Sequence, residues 1–195
     1  MARNKEYNTQ NVLDTATAAF INKGFKGVSI NDLVKATKLN KHSMYQEFGS
    51  KEGLFCECIN HYVQTVYRDF GHVLRRQPLG LKNIEDFFRR RIDYAYSAHG
   101  DGCLLVTTVV EKEQVEAVVL DRVQHHWTLQ KADFQLCLSA AQDQGDIPKD
   151  ADIKVLSNTL FCFLIGMVVI IKGGSDRESV EKMLAMTLAS IENKG

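Results

Sequence analysis

Between positions 41 and 46, the sequence places side chains that donate and accept hydrogen bonds on one face of a predicted helix. The outward face carries Lys41, His42, Ser43, Tyr45 and Gln46. Groups of this kind can bond phosphate oxygens or the edges of bases. Ser50 would cap the next helix, where Lys51 and the free amides of the first turn offer a further place for a phosphate. The chemistry available here is recognition of a phosphate-bearing partner.

Two short helices separated by a tight turn must position this face. Ser29 and Asp32 have the spacing of a capping box, in which each side chain binds the other residue's backbone amide. Asn40 is a good N-cap for the second helix, and Leu39 and Met44 hold the positions of a hydrophobic staple that fixes its entry angle. Such a pair is a helix-turn-helix, whose second helix can enter the major groove of DNA.

Charge is distributed unevenly along the chain. Residues 22–51 contain six lysines against Asp32 and Glu47, whereas the whole sequence has a net charge of zero. A basic segment confined to one module is the electrostatic signature of nucleic-acid binding. The alternative is a small helical domain whose surface lysines only keep it soluble. The local surplus of positive charge favours DNA binding over that alternative.

The segment from Val12 to Leu54 resembles the TetR family of bacterial transcriptional regulators. The matching positions are Val12, Leu13, Ala16, Phe20, Gly24, Phe25, Ile30, Leu33, Val34, Leu39, Asn40, Lys41, Met44, Tyr45, Phe48, Gly49, Ser50, Lys51, Glu52, Gly53 and Leu54. The most specific part is the sequence Tyr-x-x-Phe-x-Ser-Lys-Glu. The chain departs from the family pattern at Lys38, where glycine is usual, and at His42, where a small residue is usual. A lysine in a left-handed turn costs about 1 kcal/mol, and His42 alters the recognition face.

The resemblance implies an all-α protein with two domains. Residues 1–50 would form a three-helix DNA-binding domain with the helix-turn-helix, and residues 51–195 a helical effector-binding and dimerisation domain (a TetR-like architecture). It also implies that Tyr45 and Lys51 contact phosphates, while the outward residues of the second helix read bases in a palindromic double-stranded operator. The full set of expected DNA-binding residues is Ser29, Asn40, Lys41, His42, Ser43, Tyr45, Gln46 and Lys51.

The rest of the chain shows only helical patterns, and its composition, 45% hydrophobic and 25% charged, is that of an ordinary soluble protein. Predicted helices cover residues 9–23, with Gly24 as a C-terminal stop, then 51–74, 83–98, 103–111, 115–144, 152–172 and 176–193. The N-terminus is polar through Asn11 and shows no signal peptide. The five cysteines show no framework spacing. We therefore expect a cytoplasmic protein with reduced thiols.

The C-terminal part resembles the ligand-binding domain of the same family through the phrases Gly102-Cys-Leu-Leu and Gly145-Asp-Ile-Pro-x-x-Ala-Asp. This resemblance implies a pocket for a small-molecule effector, either apolar or electrophilic. The expected lining is Phe87, Phe88, Tyr94, Cys103, Thr107, His126, Trp127 and Phe161. Cys103 follows the Gly100-Asp-Gly102 turn at a predicted helix N-terminus, where amide dipoles favour a thiolate. It is either a sensor of electrophiles and oxidants or a small packing residue.

The segment from Leu160 to Ile171 is apolar nearly all round and needs cover on every side. The same helix of a second copy would supply that cover, so we expect a homodimer formed through the helices at 152–193. A central core helix within a monomer is the alternative. The apolar run has 12 residues, too few to cross a bilayer, and no membrane association is expected.

Other chemically interesting residues fit no catalytic or metal site. Cys56 and Cys58 are two residues apart and cannot face each other on a helix. The run Arg89–Arg91 is interpreted as a solvated face. The carboxylates of Glu111, Glu113 and Glu116 have no nucleophile and base arranged beside them. The sequence therefore predicts no catalytic residue, no metal and no cofactor.

We predict a ligand-responsive, DNA-binding transcriptional regulator, a repressor and not an enzyme, that an effector releases from its operator. Effector binding would tilt the helix beginning at Lys51 and spoil the spacing of two recognition helices for half-sites about 34–36 Å apart. Two alternatives stay open. One is a small helical cysteine-dependent enzyme or redox sensor that acts on electrophiles through Cys103 or His126. The other is a helical interaction protein without a DNA role.

Overall fold

The computed structural model describes residues 7–97, 100 and 102–193, and within these ranges it contains helices and no strand. The α-helices are α1 (Thr9–Gly27), α2 (Ile30–Thr37), α3 (Lys41–Phe48), α4 (Lys51–Asp69), α5 (Leu81–Ala95), α6 (Leu104–Val110), α7 (Ala117–Gln144), α8 (Ile153–Lys172) and α9 (Arg177–Ala189). Short 3₁₀ helices cover Gly71–Arg75 and Lys112–Gln114. The predicted all-α class is confirmed.

The chain divides into two compact units. Unit 1 takes in Met1–Thr65 and Cys103–Gln124, and unit 2 takes in Val66–Gly102 and His125–Gly195. Unit 1 thus gathers α1 to α3, most of α4, α6 and the start of α7, while unit 2 gathers α5, α8, α9 and the rest of α7. The functional division into residues 1–50 and 51–195 stays a prediction.

The first helix of unit 1 does not stop at Gly24. Asn8 caps its start by accepting from the amides of Gln10 and Asn11. At Gly24 the backbone leaves helical geometry, with φ 73° and ψ 169°, and the helix then resumes as far as Gly27. Gly24 therefore ends the first regular stretch of α1 at the predicted position, and a short further turn follows the kink. A positive φ favours glycine because its backbone has no Cβ to clash.

The helix-turn-helix forms as its capping residues predict. The amide of Asp32 donates to the Ser29 hydroxyl at 3.1 Å, and the Ser29 amide donates to the Asp32 carboxylate at 3.0 Å. Lys38 ends α2 in the left-handed region with φ 58°. Asn40 caps α3 by accepting from the Ser43 amide at 2.9 Å. The two capped ends fix both the length of α2 and the direction of α3.

A close approach between backbones joins α3 to α4. Ser50 caps α4 by accepting from the Gly53 amide at 3.0 Å. A Cβ on Gly53 would lie 2.0 Å from the Phe48 carbonyl oxygen, so no side chain fits there. The first turn of α4 consequently starts against the last turn of α3. At its other end, α4 stops at Asp69 and the 3₁₀ helix follows, earlier than the predicted residue 74.

Aromatic rings form the core of each unit. In unit 1, Phe55 of α4 lies edge-on to Phe20 with ring centroids 4.7 Å apart, and 4.9 Å from Phe25. In unit 2, Phe88 of α5 stacks on Phe134 of α7 at 5.8 Å and meets Phe163 of α8 at 5.3 Å. These rings bury apolar area between the helices that carry them, which is the main driving force for their packing.

Helix α8 is the most apolar of the chain. By length and composition alone it could cross a membrane, although a core helix of a soluble protein passes the same test. The uninterrupted apolar run is shorter than α8, so its length understates the length of apolar helix that the chain forms. Within this structure, 28% of its most apolar 18-residue window is buried. Much of its apolar surface is therefore without cover from its own chain.

A buried asparagine ties the 3₁₀ helix of unit 2 to α5, and its loss should weaken that unit. The Asn83 side-chain amide donates to the carbonyls of Val73 at 2.8 Å and Arg76 at 2.7 Å. Asn83→Ala removes both bonds from a buried site, which should cost about 2–4 kcal/mol of unfolding free energy. Urea denaturation followed by circular dichroism measures this loss. Asn22→Ala, at an exposed position of α1, is the control, and an equal midpoint for both variants would contradict the assigned role.

Candidate nucleic-acid interface and effector pocket

The structure brings the predicted DNA-binding residues of α3 onto one exposed surface. Lys41, His42, Tyr45 and Gln46 are exposed, and Tyr45 presents 42% of its area to solvent. Met44, on the opposite side of the helix, is fully buried. His42, Tyr45 and Gln46 can each donate or accept hydrogen bonds. Tyr45 and Gln46 follow His42 by three and four residues, so the three side chains share one face of α3. This arrangement leaves α3 free to contact an external partner along that face.

The capping residues in the predicted set already have partners within the protein. The Ser29 hydroxyl donates to the Asp32 carboxylate at 2.7 Å while it accepts the Asp32 amide. Hydrogen bonds from the Ser29 side chain and backbone, with the charge of Lys23, hold the pKa of Asp32 below its usual value. The Asn40 side-chain oxygen likewise accepts from Ser43. These residues fix the ends of α2 and α3, in addition to any contact with DNA.

Lys51 lies at the start of α4, half-buried over an aromatic ring. Its Nζ is 4.3 Å from the centroid of Phe25. Burial lowers the pKa of Lys51 below its usual value, and the charges of Glu52 and Glu111 partly oppose this shift. The ring therefore supports the lysine stem and fixes where the ammonium group lies. A phosphate beside it would favour the charged form.

Glu111 is the residue of unit 1 whose role the sequence did not reveal. Its Oε2 accepts from the Phe25 amide at 2.6 Å. A Cβ on Gly24 would lie between 2.4 and 2.7 Å from the Glu111 carboxylate atoms, so this carboxylate occupies the space that glycine leaves open. The kink of α1 is thus closed by a charge-assisted hydrogen bond from the residue after α6. In the sequence, Gly24 indicates only that the helix ends here. It gives no sign that a carboxylate occupies the space beside it.

The predicted effector-pocket residues fall in both units. Cys103 and Thr107 belong to unit 1, where Cys103 is the N-cap of α6 and its carbonyl accepts from the Thr107 hydroxyl at 3.1 Å. Asp101, in the turn before Cys103, lies outside the described residues. Phe87 and Phe88 are fully buried in the aromatic core of unit 2. The structure therefore gives those two rings a packing role.

His126 and Trp127 lie on α7 in unit 2. The Trp127 ring meets Phe161 of α8 edge-on, with centroids 5.4 Å apart. Burial, together with the charges of Arg91 and His125, lowers the pKa of His126 to about 4. The imidazole is consequently neutral near pH 7, with one nitrogen able to donate and the other to accept.

A pocket in unit 2 is lined by Arg91, Tyr94, Ala95, Gly100, Gly102, Met167, Val168, Ile171 and Lys172. Tyr94 is the one member of the predicted lining that belongs to it. The interpretation of the run Arg89–Arg91 as a solvated face is wrong for Arg91. Arg89 and Arg90 are exposed, whereas Arg91 is 7% exposed. It follows Phe87 by four residues, and this spacing puts both on the buried face of α5.

Two of the cysteines have packing roles. The Cys58 thiol donates to the Leu13 carbonyl at 3.8 Å and the Cys137 thiol to the Leu74 carbonyl at 3.1 Å. Burial raises the pKa of both thiols to about 12. Among the residues that the structure describes, no three histidine, cysteine or acidic side chains form a group that could hold a metal ion.

Comparison with known proteins identifies the family. Residues 80–187 match the family model described as "Tetracyclin repressor-like, C-terminal domain", and residues 12–58 match that of "Bacterial regulatory proteins, tetR family". The chain belongs to the TetR family. It is a DNA-binding transcriptional regulator with a helix-turn-helix, and α2 and α3 are the two helices of that motif.

Individual TetR-family relatives extend over nearly the whole chain. The repressor DhaR of Mycobacterium sp. (strain GP1) is 23% identical over 186 residues, covering 93% of this chain and 91% of that protein. The repressor ComR of Escherichia coli (strain K12) is 24% identical over 188 residues, covering 95% and 90%. A cysteine mutant of the regulator CifR, solved with 26-bp double-strand operator DNA, is 26% identical with a TM-score of 0.84, covering 96% and 98%.

The hydrogen bond at the α1 kink generates a prediction about this TetR-family chain. Glu111→Gln keeps the size of the side chain but removes its charge, so the bond to the Phe25 amide weakens. The variant should lose about 1 kcal/mol of stability, measured by urea denaturation. Glu113→Gln is the matched control, because the Glu113 side chain is 81% exposed. Equal stabilities of the two variants would show that the Glu111 carboxylate does not support α1.

Proposed function

We propose that this regulator is a repressor that binds a palindromic operator as a homodimer and leaves it when a small molecule binds. The observation that carries the proposal is the exposed polar face of α3, held by caps at both ends of the turn. The names of DhaR and ComR, both repressors, support repression as the direction of control. The proposed site of action is the cytoplasm, and no catalytic step is part of the function.

Within the DNA interface, we assign positioning and base reading to different residues. Lys51 and Tyr45 would contact phosphates, since Lys51 is held at the start of α4 and Tyr45 is exposed. Lys41, His42 and Gln46 would face base edges from the first turns of α3. Ser29, Asn40 and Ser43 lie at the capped ends, where backbone amides and hydroxyls can reach the phosphate backbone. The operator-bound structure of CifR supports double-stranded DNA as the partner.

The dimer would form through α8 and α9. On α8, Val155 and Val169 are more than half exposed, and on α9 Met186 is 74% exposed. A second copy of these helices would cover the apolar surface by two-fold symmetry, as a four-helix interface. The interface would also set the separation of two α3 helices for half-sites one DNA turn apart.

Control by an effector would be a shift in population between two dimer states. In one state the two α3 helices match the half-sites, and in the other a tilt of α4 spoils that match. A coupling of about 1–3 kcal/mol between effector and DNA binding is enough for a several-fold to hundred-fold release. Residues 1–50 would bind DNA, and residues 51–195 would bind the effector and the second copy. A sensor role for Cys103 stays a prediction.

A mobility-shift experiment tests DNA binding directly. The DNA upstream of the protein's own gene is the probe, and a random sequence of equal length is the competitor. We expect a retarded complex that survives an excess of random competitor. Complete loss of the complex at equal amounts of competitor would contradict sequence-specific binding.

Substitutions should separate phosphate contacts from base contacts. Lys51→Ala should weaken binding to operator and random DNA alike, and lower the slope of log K against log salt by about 0.9 for the one phosphate lost. Gln46→Ala should instead reduce the preference for operator over random DNA, by a factor of about ten. Titrations at several salt concentrations measure both effects. If Gln46→Ala loses affinity for both DNAs equally, Gln46 does not read bases.

A charge on the exposed side of α8 should separate the subunits. Val169→Asp places a carboxylate in the proposed interface, where it would be buried without a partner. We expect a folded monomer by light scattering, with operator affinity reduced at least about hundred-fold because the half-sites no longer act together. Val118→Asp is the control, since Val118 is exposed on α7 outside α8 and α9. A dimeric Val169→Asp protein would place the interface elsewhere.

A further inference from the structure

In the part of the chain that the structure describes, the buried cation Arg91 has no partner of opposite charge. It lies on α5 and is 7% exposed, and its Nη1 is fully enclosed with no hydrogen-bond acceptor. Its guanidinium lies over the Phe70 ring, 4.7 Å from the centroid. Among the residues that the structure describes, no carboxylate forms a salt bridge with it. A buried charge normally has a counter-charge and satisfied hydrogen bonds, so Arg91 lacks what the fold gives to other buried ions.

The chain does pair other charges in this unit. Asp133, 4% exposed, receives Arg75 at 2.8 Å. Arg76 and Lys82 both bind Asp86. Within the described residues, burial without a counter-charge is therefore not a general property of the charged side chains of unit 2.

A second buried donor lies on α7. Gln130 is 6% exposed, and its Nε2 has no hydrogen-bond partner in the described structure. His126 is four residues earlier on the same face of α7. The positive charge of Arg91 acts on His126, since it helps to lower the pKa of that imidazole. Neither His126 nor Gln130 lines the pocket to which Arg91 belongs, so Gln130 is a separate unsatisfied donor of unit 2.

The surroundings of Arg91 on its other side are apolar. Arg91 lines the pocket of unit 2 together with Met167, Val168 and Ile171 of α8 and with Tyr94 of α5. The pocket has a volume of about 20 Å³, so a polar head group can enter it, whereas a larger apolar body requires the side chains of Met167, Val168 and Ile171 to move apart.

We propose that unit 2 binds an organic carboxylate, whose oxygens accept hydrogen bonds from Arg91 and whose apolar body lies against Met167, Val168 and Ile171. The planar guanidinium fits a carboxylate because two parallel N–H groups can meet its two oxygens. The inference rests on the proposed effector response and specifies the chemical class of that effector. It differs from the expectation of an apolar or electrophilic effector in adding a negatively charged head group.

Two matched variants test the proposal without DNA. Arg91→Met removes the buried charge and keeps a chain of similar length, whereas Arg90→Met removes the neighbouring, exposed charge from the same helix. Isothermal titration uses three carboxylates as probes, namely benzoate, 2-naphthoate and octanoate, each against its alcohol: benzyl alcohol, 2-naphthylmethanol and 1-octanol. Each pair has nearly the same apolar body, so the comparison isolates the carboxylate.

In the parent protein and in Arg90→Met, at least one carboxylate should bind about tenfold or more tightly than its alcohol. In Arg91→Met this preference should disappear, while the alcohol binds as before. If no probe shows the preference in the parent, or if Arg91→Met retains it, the proposal is overturned.

Thermal unfolding without ligand gives a second readout. The desolvation of a buried guanidinium without a counter-charge outweighs its contact with the Phe70 ring, so Arg91→Met should melt at the same temperature as the parent or a few degrees higher. A purely structural arginine would make Arg91→Met melt several degrees lower, and that result would overturn the proposal.

The same carboxylate is then added to the protein–operator complex in a mobility-shift assay. Binding at Arg91 that leaves the complex intact would support the site and reject effector release. Release of DNA that is lost in Arg91→Met and kept in Arg90→Met would support both. A protein that binds carboxylate through Arg91 but never binds DNA would reject only the DNA-binding proposal.

Discussion

The geometry of the DNA-binding unit depends on how Phe25 is held. Its ring packs against Phe55 and carries the Lys51 ammonium, and its amide is bound by Glu111. One residue therefore connects the end of α1, the start of α4 and the residue after α6. Because the ring is buried and the amide is bound by a charged group, displacement of any one of these helices costs contacts with the others. These contacts lie in the same unit as α3 and its exposed polar face.

Local signals made the helix-turn-helix predictable from the sequence. Ser29, Asp32 and Asn40 act within three residues of their partners, so their spacing alone specifies the bonds that they make. The left-handed conformation of Lys38 was predicted from the family resemblance, because glycine is usual at this position. Identity and fold followed from this short segment because its signals are local and several of them agree.

The remaining features depend on the tertiary structure. Nothing near Glu111 in sequence indicates that it closes a kink at Gly24, since 86 residues separate it from Phe25. Arg91 is a different case, because its spacing from Phe87 and Phe88 predicts a position on the buried face of the helix. The interpretation of three successive arginines as one solvated face disregarded this spacing. Phe87 and Phe88 show the limit of composition as a guide. Aromatic residues on an effector-domain helix suit a pocket wall and a packed core equally well, and only the packing shows which role applies.

The separation of Phe25 from Glu111 has a consequence during synthesis. The residues of α1 to α4 leave the ribosome first, and the carboxylate that closes the α1 kink follows 86 residues later. At about 5–20 residues per second this interval is roughly 4–17 s. Until then the α1 kink lacks the hydrogen bond between the Phe25 amide and the Glu111 carboxylate, and only a chain that has completed α6 can form it.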